Sequence, residues 1–127
     1  MTSPSSPTIG PDFVSLQVRD LAASADFYER VVGLARVPGP NPQAVVFTSG
    51  TSSFAVRTPL PGFDLDAHPQ LGAGVGIWFH HPDALAVHRR VVDHGAAVVQ
   101  EPSDGPFGTT FAFRDPDGYL ITIHSKA

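Results

Sequence analysis

Six histidines and no cysteine limit the chemistry open to this 127-residue chain. A metal would need imidazole or carboxylate donors, a thiol nucleophile is excluded, and no disulfide framework can form. His68 falls in a connecting segment, His81 at a helix start, and His88 and His94 on a helix. None of them pairs with another at the four-residue spacing of a helical metal motif, so they read as surface residues. His80 and His124 differ, because strand alternation places His80 in phase with Trp78 and His124 in phase with Thr122. These two imidazoles either sit half in solvent at strand ends or serve a ligand by hydrogen bonding or proton transfer. Without a carboxylate in phase, they make an incomplete metal site.

Trp78 is the sole tryptophan, and the same alternation sets Gly74 and Gly76 beside it. A large ring next to two bare backbone positions offers a slot for a flat molecule, unless the ring fills the core. Phe13, Ser15, Gln17, Arg57 and Thr122 fall on strand faces in the same way: Phe13 as an apolar wall, the others as polar contacts orienting a ligand. No Gly-rich phosphate loop and no Ser-centred nucleophile motif is present.

These residues need strands to position them. Val14, Leu16 and Val18 alternate with Phe13, Ser15 and Gln17, the period-two signature of a half-buried strand. Asp20 then caps a helix whose apolar stripe is Leu21, Ala25, Tyr28 and Val32, widened by Phe27 and Val31, with Gly33 suited to its left-handed stop. The order repeats about sixty residues on. Val75, Ile77 and Phe79 alternate with Gly74, Gly76, Trp78 and His80; Pro82 suits a first helical position, and Gly95 a helix end. Further strand-like runs cover 44–48, 53–58, 96–100, 109–114 and 119–125, and Asp115-Pro116-Asp117-Gly118 is a turn. The pattern predicts an α+β protein of two tandem βαβββ modules, about 12–60 and 73–127, within one domain over 12–127. The segment 1–11 is expected to be disordered. Each module leaves one sheet face uncovered by its helix, and pairing two modules turns those faces into a cup with the helices outside.

Composition narrows the function. Twelve acidic against eight basic residues give a net charge of −4, with no run of Lys or Arg, which argues against a nucleic-acid or anionic-membrane surface. The thirteen prolines and twelve glycines favour turns and short elements over long helices. No signal peptide or apolar span stands out, so the expected location is cytoplasmic.

The run Val14-Ser15-Leu16-Gln17-Val18-Arg19-Asp20-Leu21, with Phe27-Tyr28 and Val32-Gly33-Leu34, resembles the first module of the vicinal oxygen chelate superfamily. Pro106-Phe107-Gly108 and the stretch from Phe113 to Ile121 resemble its second-module ending. The resemblance implies a cup-shaped mixed sheet and a homodimer, since members commonly pair modules between chains. It also implies metal ligands at four positions, which here carry Phe13, Ala55, Gly74 and Thr122. None is a good donor for a divalent ion. The expectation is therefore a protein without metal or other cofactor that binds a small aromatic or apolar organic molecule, as bleomycin-resistance members do. Its ligand-binding residues are Phe13, Ser15, Gln17, Arg57, Gly76, Trp78, His80, Thr122 and His124. The alternative is an enzyme that works through His80 or His124, or through a displaced metal site.

Overall fold

A computed structural model describes residues 6–50 and 52–127. Of the segment expected to be disordered, 1–5 lie outside the described residues; 6–11 are exposed and form neither helix nor strand.

The first module contains β1 (Phe13–Gln17), the helix α1, β2 (Ala35–Val37), β3 (Ala44–Ser49) and β4 (Ser52–Arg57). α1 is α-helical over Leu21–Asp26 and π-helical over Phe27–Val32. A 3-10 turn at Leu65–Ala67 lies in the connection. The second module follows with β5 (Ile77–His80), α2 (Ala84–His94), β6 (Val98–Gly105), β7 (Gly108–Arg114) and β8 (Leu120–His124). The strand order is β1-β4-β3-β2 in sheet A and β5-β8-β7-β6 in sheet B, each with one parallel pair and two antiparallel pairs. The same topology twice is what the repeat in the sequence demands.

The helix boundaries follow from local chemistry. Asp20 accepts a hydrogen bond from the Ala23 amide at 3.1 Å, and Gly33 closes α1 in the left-handed region at φ 95°. In α2 the cap is Asp83, whose carboxylate accepts from the Ala86 amide, so Pro82 lies before the cap and not at the first helical position. The side chain that can satisfy an orphan amide decides the start. Strand β2 has no apolar alternation: Ala35, Arg36 and Val37 are all exposed, and pairing with β3 alone defines it. Gly74 is not part of a strand. It lies in a turn in which the Val75 amide donates to Gly72, and its φ of 84° gives it a backbone reason to be glycine.

One face of each sheet is sealed by a helix. Leu16, Phe47, Phe54 and Val56 of sheet A and Phe111, Phe113, Ile121 and Ile123 of sheet B are buried, as are Tyr28, Val31, Val87 and Val91 on the helices. These residues form one core cluster: Tyr28 contacts Phe54 and Phe79, Phe54 contacts Phe79 edge-on at 5.2 Å, and Phe27 contacts Phe113. The helix-bearing sides of both sheets therefore meet in a shared interior.

A polar clip reinforces this junction. The Tyr28 hydroxyl donates to Asp115 at 2.6 Å, and Asp115 also accepts from the Asp117 and Tyr119 amides. Asp117 accepts from the Arg19 amide and guanidinium, and Tyr119 donates its hydroxyl to the Gln17 carbonyl. The turn between β7 and β8 thus grips the first module, a role beyond reversing the chain. Burial raises the Asp115 carboxyl above its ordinary range, against the pull of the Tyr28 hydroxyl and the two amides.

Candidate functional site

The site residues occupy the opposite, open faces, and pairing register fixes which of them share a row. On sheet A, Phe13 stands opposite Ser53, Ser15 opposite Ala55, and Gln17 opposite Arg57; Ala55 and Arg57 face Val46 and Ala44 on the next strand. Phe13 is 55% exposed, while Ala55 is buried at the floor. Phe13, Ser15, Asn41, Ala44, Val46, Ala55 and Arg57 line a groove of about 210 Å³. Arg57 is steadied by donating from Nε to the Thr58 carbonyl at 2.9 Å. Gln17 lies on the same face, but its side-chain oxygen accepts from the Leu60 amide at 2.7 Å, so that acceptor holds the connection between modules.

Sheet B carries a row of His80, His124 and Thr110, then a row of Trp78, Thr122 and Ala112, and Arg114 opposite Leu120 in the next. Thr122 and Ala112 are buried at the floor, and Trp78 is 50% exposed beside them. That exposure decides between the two roles open to Trp78: the ring does not fill the core. Its indole contacts Phe107 at 5.4 Å and His124 at 5.9 Å, and the His80 and His124 rings are 5.4 Å apart. A β-carbon at Gly76 would lie 3.5 Å from the indole, so Gly76 runs directly alongside the ring. Gly74, in its turn, does not widen that slot.

The histidine tautomers follow from their partners. His80 Nε2 lies 3.1 Å from the Ser125 carbonyl, and His124 Nδ1 lies 2.9 Å from the Lys126 carbonyl. A carbonyl only accepts, so each of these nitrogens bears the proton and donates. His80 Nδ1 and His124 Nε2 are left as acceptors in the neutral rings. The strand-end position expected for both residues holds, although backbone carbonyls are their partners.

The nine residues fall into two groups. Phe13, Ser15, Gln17 and Arg57 share the open face of sheet A; Trp78, His80, Thr122 and His124 share that of sheet B, with Gly76 at its edge. Both faces lie on the far side of their sheets from the shared core, so one chain does not close them over a common hollow. The four positions expected on one wall are correspondingly divided: Phe13 and Ala55 are on sheet A, Thr122 is on sheet B, and Gly74 is on neither. Pairing the modules back to back through their helices separates what strand phase alone sets on one face. The larger cleft, of about 440 Å³, runs between the β3–β4 hairpin and β5, and Val14, Ser53, Phe54, Gly76, Trp78 and His80 are among its lining residues.

Phe107 is the contributor that strand alternation misses. It is 55% exposed, and it precedes Gly108, where a β-carbon would run into Ser125. An aromatic residue between Pro106 and a glycine is the available sequence signal, since binding side chains often ride on turns.

The model of the glyoxalase/bleomycin resistance protein/dioxygenase superfamily matches residues 10–123. The chain belongs to this superfamily. It is 27% identical to the phenazine antibiotic resistance protein EhpR of Enterobacter agglomerans over 126 residues, covering 97% of each chain. Among solved structures, it is similar to TnmS3, an antibiotic binding protein from Streptomyces sp. CB03234, with a TM-score of 0.71 and 21% identity over 96% of this chain and 100% of the other. It is also similar to a lactoylglutathione lyase from Agrobacterium tumefaciens, with a TM-score of 0.65 and 20% identity over 94% and 95%. The superfamily fold thus underlies proteins described as binders and as enzymes.

The metal that the superfamily implies does not fit these residues. Phe13, Ala55 and Gly74 offer no side-chain donor, and Thr122 offers one hydroxyl where a carboxylate would be needed. Among the described residues no three His, Asp or Glu side chains are grouped to hold an ion.

Proposed function

We propose that this superfamily member binds a planar, largely apolar organic molecule of the antibiotic kind and sequesters it in the cytoplasm without a metal and without transforming it. The observation that carries this reading is the half-exposed Trp78, set against Phe107 and His124 above a floor of Thr122 and Ala112. An aromatic ring left uncovered with small residues beside it loses apolar contact until a flat partner occupies the space. The relative named for phenazine antibiotic resistance supports the choice of ligand class.

In this reading a second copy of the chain completes the site, with sheet A of one protomer closing over sheet B of its partner. Each open face has a wall and a floor but no cover, and symmetric pairing supplies two equivalent cups. The partner surface would be built from these faces, with no nucleic acid or membrane involved.

Titration with phenazine, followed by fluorescence of the sole tryptophan, tests the binding. Quenching with a micromolar midpoint is expected, and Trp78→Ala, read by calorimetry, is expected to weaken binding about ten-fold, the scale of one aromatic stack plus its buried area. An unchanged affinity in Trp78→Ala would remove the stacking role. Sedimentation as a monomer at micromolar concentration, with binding intact, would remove the two-copy cup.

A further inference from the structure

The distribution of charge on the open faces names the ligand more closely, on the reading that these faces bind one. The chain is acidic overall, with twelve Asp and Glu against eight Lys and Arg. By strand register, the open-face positions of both sheets nevertheless include no Asp or Glu, but do include Arg57, Arg114, His80 and His124. Two nearby strand carboxylates are turned elsewhere: Asp104 accepts from the Thr109 hydroxyl, out of phase with the open face, and Glu101 meets His88 of α2.

The two guanidiniums are also left uncompensated. Arg19, Arg30 and Arg36 each meet a carboxylate within 4 Å. Arg57 and Arg114 instead donate to the backbone carbonyls of Thr58 and Gly118 and have no ion-pair partner among the described residues. A carbonyl steadies a guanidinium without neutralising it, which leaves its charge and remaining donors for an anion. On sheet B the row of Trp78, Thr122 and Ala112 runs between the imidazoles of His80 and His124 on one side and Arg114 on the other. A flat molecule on that row has cationic or protonatable groups along both long edges.

We infer that the ligand is a planar aromatic acid, its rings against Trp78 and Phe107 and its negative group answered by Arg57 and Arg114, with His80 and His124 as further polar contacts. Arg57 reaches it from the sheet A that covers the cup.

Phenazine-1-carboxylate and its neutral carboxamide are matched in shape and differ in charge, so their affinities for the intact protein, measured by calorimetry at pH 7.5, isolate this point. The carboxylate is expected to bind at least about ten-fold more tightly, the scale of one charge-assisted contact. The double variant Arg57→Gln/Arg114→Gln is expected to bring that ratio below about three. Equal affinities, or a preference for the carboxamide, overturn the inference while leaving aromatic binding in place. A ratio that survives in the double variant overturns the assignment to these guanidiniums. Failure of the wild-type protein to bind either probe overturns this inference together with the binding function on which it rests.

Discussion

Sheets A and B share one strand order and differ on the face that no helix covers. Each open face has a buried small residue at its floor, Ala55 in one and Thr122 with Ala112 in the other. Sheet A flanks its floor with one exposed aromatic, Phe13, and with Arg57. Sheet B flanks its own with a cluster of Trp78, Phe107, His124 and His80. The helix-bearing sides are alike, both filled with phenylalanines and aliphatic residues: Leu16, Phe47, Phe54 and Val56 on sheet A, and Phe111, Phe113, Ile121 and Ile123 on sheet B. The sides that fold the chain are alike and the uncovered sides differ, because close packing constrains the first and does not constrain the second.

If stability resides in the shared interior and recognition on the open faces, changes to the two should separate cleanly. The largest loss of stability is expected from Asp115→Ala, which leaves the buried Tyr28 hydroxyl and the Asp117 and Tyr119 amides without their acceptor. Urea unfolding should show a cost of about 2–4 kcal/mol. A cost under 1 kcal/mol would mean that the Asp115 carboxylate adds little to the other contacts holding the modules together.

The open faces can be tested against each other. Phe13→Asp and Trp78→Ala should each weaken ligand binding about ten-fold as pure proteins, so that few sites are filled at a ligand concentration equal to the wild-type midpoint. Co-refolding the two variants in equal amounts should restore about a quarter of the sites, because half of the randomly paired dimers carry one cup with both faces intact. No restoration would place the two faces in separate sites or in a single chain.

A smaller effect concerns pH. Burial raises the folded-state pKa of Asp115 above its value in the unfolded chain. Between the two values the folded state holds the proton more firmly, so this group's contribution is full below the unfolded pKa and is lost as pH rises through the folded one. The stability advantage of wild type over Asp115→Asn should therefore shrink as pH rises from below 3.8, the ordinary value of this carboxyl. A difference that grows with pH in chemical denaturation would contradict the assignment. The smallest effect is at Ser24, whose buried hydroxyl has no hydrogen-bond partner among the described residues. Ser24→Ala should leave binding unaltered and change stability by no more than about 1 kcal/mol, in the stabilising direction.

Much of the fold was legible in the sequence because local chemistry and periodicity decided it. Alternation at 13–18, the Asp20 cap, the Gly33 and Gly95 stops and the sixty-residue repeat each act within a few residues of chain, so composition at those positions is sufficient. β2 escaped because Ala35-Arg36-Val37 has no buried side to impose alternation. Gly74 was misplaced because a glycine serving a turn looks the same as one opening a slot. The donors open to the site were likewise read residue by residue: Phe13, Ala55, Gly74 and Thr122, the positions at which the resemblance implies metal ligands, do not make a set of donors. What tertiary structure alone decided was which faces look at each other. Strand phase assigns a side chain to one side of its sheet, but the packing of Tyr28, Phe54, Phe79 and Phe113 into a common interior determines that the two open faces lie apart in one chain. Which residues share a pocket depends on long-range contacts between modules, and no local pattern in the sequence encodes those.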